Sequence, residues 1–124
     1  QVGERDECFD NADTADMYRR SAMSANLYRV EADSPDLVEG WAMGPRDVEL
    51  AACGTFFARD PRPEGDELLP MLPKVTCPAE LADVLRWSMA HPEQRQQAAD
   101  AARAAVSDRT FSSNAARLLR ALDA

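Results

Sequence analysis

The sequence predicts an α/β fold in which a parallel sheet of only a few strands is followed by a C-terminal run of three helices. Three observations carry that expectation. Short runs with an aromatic or β-branched bias alternate with helical segments, two of those segments open on a proline at Pro45 and Pro78, and the periodicity from Pro78 to Ala124 is helical almost throughout. A chain of 124 residues suits one globular domain and not two.

Residues 1–13 are polar and carry no period, so they read as an irregular segment ahead of one domain over 14–124. Thr14 to Ala22 reads as a short helix with Asp13 as its N-cap and Ala15, Met17, Tyr18 and Ala22 as apolar contacts. A strand over Ser24 to Val30 follows. Residues 31–44 hold a proline, two glycines and four acidic groups, which marks a loop with at most one turn around Pro35 to Val38. The best-punctuated helix comes next, with Gly44 at the N-cap, Pro45 at the first helical position and Gly54 just past the end. Thr55 to Arg59 reads as a buried strand, stopped by Asp60-Pro61.

Pro61 to Pro73 contains four prolines and is expected to be irregular, with one turn at Asp66 to Leu69, before a short strand at Lys74 to Thr76. Pro78 opens a helix to Ala90 with Leu81, Val84, Leu85 and Met89 at helical spacing and Glu80 at N3. The helix from Pro92 to about Ser107 shows an alanine face at Ala98, Ala102 and Ala105, small enough for a neighbour to approach closely. Phe111 to Ala124 aligns Phe111, Ala115, Leu118, Leu119 and Leu122 on one stripe. Two or three strands make a thin sheet, so further protein is expected to cover it.

Composition narrows the partners. With 22 acidic residues against 14 basic ones the net charge is −8, so nucleic acid and anionic membrane surfaces would be repelled. No apolar run approaches the roughly 20 residues that span a bilayer, and Gln1 to Asp16 is acidic where a secretory signal is basic and then apolar. Cys8, Cys53 and Cys77 are odd in number and lack a Cys-x-x-Cys pair, which predicts free thiols and a cytoplasmic protein.

Most motifs read as structural. The lone His91 precedes Pro92, where the sequence asks for an N-cap, and with no second histidine a multi-His metal site cannot form within the chain. Cys53 falls at a helix C-terminus, where the dipole disfavours a thiolate, so it reads as a small packing residue. Asp60, Glu64, Asp66 and Glu67 lack the spacing of a calcium loop and read as a solvated acidic stretch; no metal is expected. Gly-x-Gly-x-x-Gly and the P-loop signature are absent.

One constellation remains, the helix entrance Trp41-Ala42-Met43-Gly44-Pro45-Arg46-Asp47-Val48-Glu49. A glycine cap has no side chain to occupy the amides of the first turn, which point outward with the positive end of the helix dipole and can hold a phosphate. Arg46 would add a charge-assisted bond, and Glu49, one turn deeper, has the reach to accept bonds from two sugar hydroxyls. The alternative is an ordinary Gly-Pro helix start with a solvated Arg and Glu.

The run Gly44 to Phe57, GPRDVELAACGTFF, resembles the E-A-x-A-C-G-x-P-V segment in the C-terminal half of GT-B glycosyltransferases, closest to the CgeB-like branch with its R-x-x-E-x-x-A-C-G pattern. His91-Pro92-Glu93-Gln94-Arg95, the Ala/Arg-rich helix, Thr110-Phe111 and the Leu-rich final helix resemble the closing helices of the same enzymes. The resemblance covers roughly residues 14–124. It implies a partial Rossmann-like domain, one part of a longer protein, that binds a nucleotide-diphosphate sugar without a metal or other cofactor. Carried over, Glu49 would hold the ribose hydroxyls, while Arg46 and the amides after Gly44 and Pro45 would face the diphosphate. Related retaining enzymes carry a second Glu eight positions earlier, where this chain has Trp41, which would stack on a base or pack.

Energetics bound what these residues do alone. Charge-assisted bonds contribute about 1.5–3 kcal/mol each, so Arg46 and Glu49 supply roughly 3–6 kcal/mol. Lost translation and rotation cost about 4–15 kcal/mol, and micromolar binding needs about −8 kcal/mol net. The isolated chain is therefore expected to bind donor weakly and not to turn over, the missing surface coming from an N-terminal half of the same protein or from another chain. The rival reading is a non-enzymatic interaction or oligomerisation module that uses the amphipathic helices from Pro78 to Ala124; a sugar-nucleotide sensor without transfer is a third.

Overall fold

Residues 10–27 and 40–123 are described by the computed structural model, and in them short parallel strands alternate with helices. In chain order these are α1 (Asn11–Arg20), β1 (Ser24–Asn26), α2 (Pro45–Ala52), β2 (Phe57–Arg59), α3 (Pro63–Leu68), α4 (Pro78–Ala90), α5 (Pro92–Ala105) and α6 (Phe111–Leu122). The mixed α/β class and the closing run of three helices are as expected. Residues 1–9 with Cys8, the strand positions 28–30 and the turn around Pro35 to Val38 lie outside the described residues.

β1 and β2 pair in parallel, with Ser24 opposite Phe57 and Asn26 opposite Arg59, and α2 makes the crossover between them. The expected third strand is reduced to a single parallel bridge. Arg59 N donates to the Pro73 carbonyl and Val75 N to the Arg59 carbonyl, both at 3.0 Å, across the other edge of β2. β2 is thus the central strand, and all three of its residues are buried, as a parallel sheet covered on both faces requires.

The core joins Leu50 and Ala51 of α2 to Phe56, Phe57, Leu69 and Leu72, and closes with Ala99, Ala102 and Val106 from the α5 region. α5 packs on α2 and α4 packs on α5. The alanine face of α5 permits the first of these approaches, with Ala102 fully buried. The end of α2 follows from Gly54: at φ +73° it lets Gly54 N donate to the Ala51 carbonyl and Thr55 N to the Leu50 carbonyl, the paired bonds of a Schellman turn. Phe56 is thereby delivered to the core two residues after Gly54.

Four local expectations are corrected. α1 begins at Asn11 and ends at Arg20, and its cap is Asp10, whose carboxylate accepts from Asp13 N at 2.9 Å; Asp13 sits in the first turn, where its charge suits the helix dipole. The proline-rich stretch is not wholly irregular, because Pro63 occupies the first position of α3, where a missing N–H costs nothing. On α4 the buried residue is Ser88, whose hydroxyl donates to the Leu85 carbonyl at 2.9 Å, while Leu85 and Met89 are exposed. His91 does not cap α5 with its side chain. Its ring stacks on Trp87 at 5.1 Å between centroids, and Nδ1 lies 2.9 Å from the Trp87 carbonyl, so the imidazole closes α4 instead.

The α6 stripe is amphipathic as expected but faces solvent, with Phe111 96% and Leu122 73% exposed. Its start is capped by Thr110, whose hydroxyl oxygen accepts from Ser113 N at 3.1 Å.

Candidate functional site

α2 enters from an extended Gly44, and its first turn is organised by Asp47. The carboxylate of Asp47 is buried; Oδ1 accepts from Asn26 Nδ2 at 2.7 Å and Oδ2 from Gly44 N at 3.3 Å. Asp47 N donates back to the Gly44 carbonyl at 3.1 Å. Pro45 has no N–H. The open stretch of amides is therefore shorter than a glycine cap by itself implies: Gly44 N is taken by Asp47, and the amide of Arg46 is left without a protein acceptor among the described residues. An acidic residue at N3 behind a cap lacking a side chain was the available sequence signal for this arrangement.

Glu49 is exposed on α2 and borders two clefts. One, of about 330 Å³, lies between α2 and the start of α6 and is lined by Pro45, Val48, Glu49, Arg109, Phe111 and Asn114, with Ala52 at its end. The other, of about 320 Å³, lies between α2 and α1, where Glu49 meets Asn11, Thr14, Tyr18 and the half-buried Cys53. Of the expected site residues, the structure thus brings Pro45 and Glu49 together at one cleft. Arg46 is exposed and Trp41 is 55% exposed; neither lines these two clefts, and the Trp41 carbonyl accepts from Glu64 N at 3.1 Å.

The acidic stretch expected to be solvated is largely engaged. Glu64 bridges two segments: Oε2 accepts from Met43 N at 2.9 Å and Oε1 from Arg109 Nη1 at 3.0 Å, with the Glu64 side chain mostly buried. The α2 entrance is tied in this way to the loop that leads into α6. Asp66 takes Lys74 Nζ and Arg59 Nη2, each at 2.8 Å. The Lys74 ammonium and then the Arg59 guanidinium hold the Asp66 carboxyl below its ordinary value. Arg59 itself is buried at the C-terminal end of β2 and donates further to the Asp60 carbonyl at 3.4 Å.

Arg109, Phe111, Asn114 and Glu64 were not expected at the site. They are distant in sequence from Glu49, and nothing in their local pattern links them to it. Among the described residues no group of three or more His, Cys, Asp or Glu side chains is placed to hold a metal ion, and no helix is long and apolar enough to cross a membrane.

A family model described as glycosyl transferase-like matches residues 3–121. The corresponding comparisons with curated proteins and with solved structures give no match.

Proposed function

The chain belongs to the glycosyl transferase-like family, and from that membership we propose that it is the donor-binding part of a GT-B glycosyltransferase of the CgeB-like branch, taking a nucleotide-diphosphate sugar as donor. The observation that carries this reading is Glu49, an exposed carboxylate on α2 at the boundary of two clefts. A carboxylate there accepts hydrogen bonds from vicinal ribose hydroxyls. The diphosphate would lie toward the start of α2, against the Arg46 amide and guanidinium, beside Gly44 and Pro45. Positive potential at that point stabilises the diphosphate as it departs, which is where charge builds up during transfer. No metal enters this scheme. The acceptor side would be supplied by another part of the polypeptide or by another chain, and Trp41, exposed ahead of α2, would pack against it.

Titration of the chain with UDP, GDP and dTDP, followed by ¹H–¹⁵N chemical shifts, tests the reading. Millimolar binding centred on Arg46 to Ala52 and weakened by Glu49→Gln is expected. No binding by any of the three, or a Glu49→Gln variant that binds as the parent does, would overturn it.

A further inference from the structure

The cleft between α2 and α6 has two unlike walls. α2 contributes Pro45, Val48 and Glu49, and the opposite side contributes Arg109, Phe111 and Asn114. Phe111 is 96% exposed, so its ring gains almost nothing from the fold, and Asn114 follows it by three residues on α6 and therefore shares its face. This wall is held in place. Glu64 grips Arg109 with one oxygen and the Met43 amide with the other, fixing the root of α6 relative to the α2 entrance.

Resting on the donor reading above, we propose that the α2/α6 cleft is the nucleoside subsite, with the base stacked on Phe111 and its edge read by Asn114. In a nucleotide sugar the ribose joins the base to the diphosphate. Of the two clefts that Glu49 borders, the one toward α6 also reaches Pro45, next to the diphosphate position at Arg46, so a ribose held at Glu49 with its diphosphate there sets the base on the α6 side. A planar base gains stacking energy from an aromatic face, and a carboxamide carries both a donor and an acceptor to match a base edge. The volume of about 330 Å³ admits a ligand of this class.

Saturation-transfer NMR on the full chain with UDP and GDP tests the assignment. Transfer to the base protons is expected in the parent. Phe111→Ala should lose most of it and weaken binding about tenfold, within the range of one base–aromatic stack. Phe111→Tyr should restore both, and Asn114→Ala should change the ratio of UDP to GDP affinity. An unchanged ¹H–¹⁵N spectrum outside the cleft shows that the exposed Phe111 was removed without unfolding. If binding depends on Glu49 yet Phe111→Ala leaves affinity and base transfer intact, the subsite is overturned while the donor reading stands. If Glu49→Gln leaves binding intact, or neither nucleotide binds, both fall.

Discussion

The buried side chain of Asn26 donates a 2.7 Å hydrogen bond to Asp47, fastening the end of β1 to the first turn of α2. The same carboxylate receives Gly44 N, so one side chain sets both the sheet-to-helix distance and the start of the helix that carries Glu49. Asp47→Ala would strand the Asn26 amide in a buried position. A loss of about 1–3 kcal/mol is expected in urea denaturation, together with faster hydrogen exchange at Gly44.

Gly54 terminates α2 in the left-handed region. A Cβ placed there would meet only Arg103 Cδ, at an ordinary 3.8 Å, so the cost of Gly54→Ala is backbone strain and not crowding. Thermal unfolding should show a loss of about 1–2 kcal/mol. Gly54→Asn should lose less, because asparagine tolerates this conformation better.

Gly65 presents the opposite case. It is buried in α3, and a Cβ there would stand 2.8 Å from Arg59 Nη1 and 3.2 Å from Cζ. That guanidinium is pinned by Asp66 and has little room to retreat. Gly65→Ala should therefore destabilise by about 1–3 kcal/mol despite the better helix propensity of alanine, measurable as a lower urea midpoint.

Acid should find the partnered carboxylates around α3 and α4. Asp66 lies below its ordinary value of 3.8, through Lys74 and then Arg59. Glu80 lies below its ordinary 4.5, because the Thr76 amide and then the Thr76 hydroxyl bond to its carboxylate. A depressed folded value means stability that is fully present above the ordinary value and lost as pH falls through the folded one. Urea midpoints should hold steady down to about pH 4.5 and then decline, and the decline should be shallower in Asp66→Asn and Glu80→Gln.

The helix bearing the proposed donor residue was legible because both of its ends depend on backbone properties of single residues: proline at the start, glycine beyond the end. The α5 face was legible for a similar reason, since consecutive alanines leave few other uses. Partner choice was not. Asp10 and Asp13 both fit an N-cap, and only the position of the first turn decides between them. Counting prolines misjudged α3, because proline is excluded from helix interiors and not from the first position. The α4 stripe gave a periodicity without saying which ridge meets a neighbour, and the buried one carries Ser88. At the site, Glu49 was accessible through a local motif. Arg109, Phe111 and Asn114 reach the same cleft only through the tertiary path of α5, which no short window contains.

Trp87 lies with Phe56 6.0 Å from one side of its ring system and His91 stacked 5.1 Å away. The chain's only other indole, Trp41, stands ahead of α2. The molecule consequently carries two intrinsic fluorophores in different neighbourhoods: emission from Trp87 reports the packing of α4 against Phe56, while Trp41 reports events near the helix entrance. Replacing either one by phenylalanine would separate the two signals, giving an optical readout of each region without an added label.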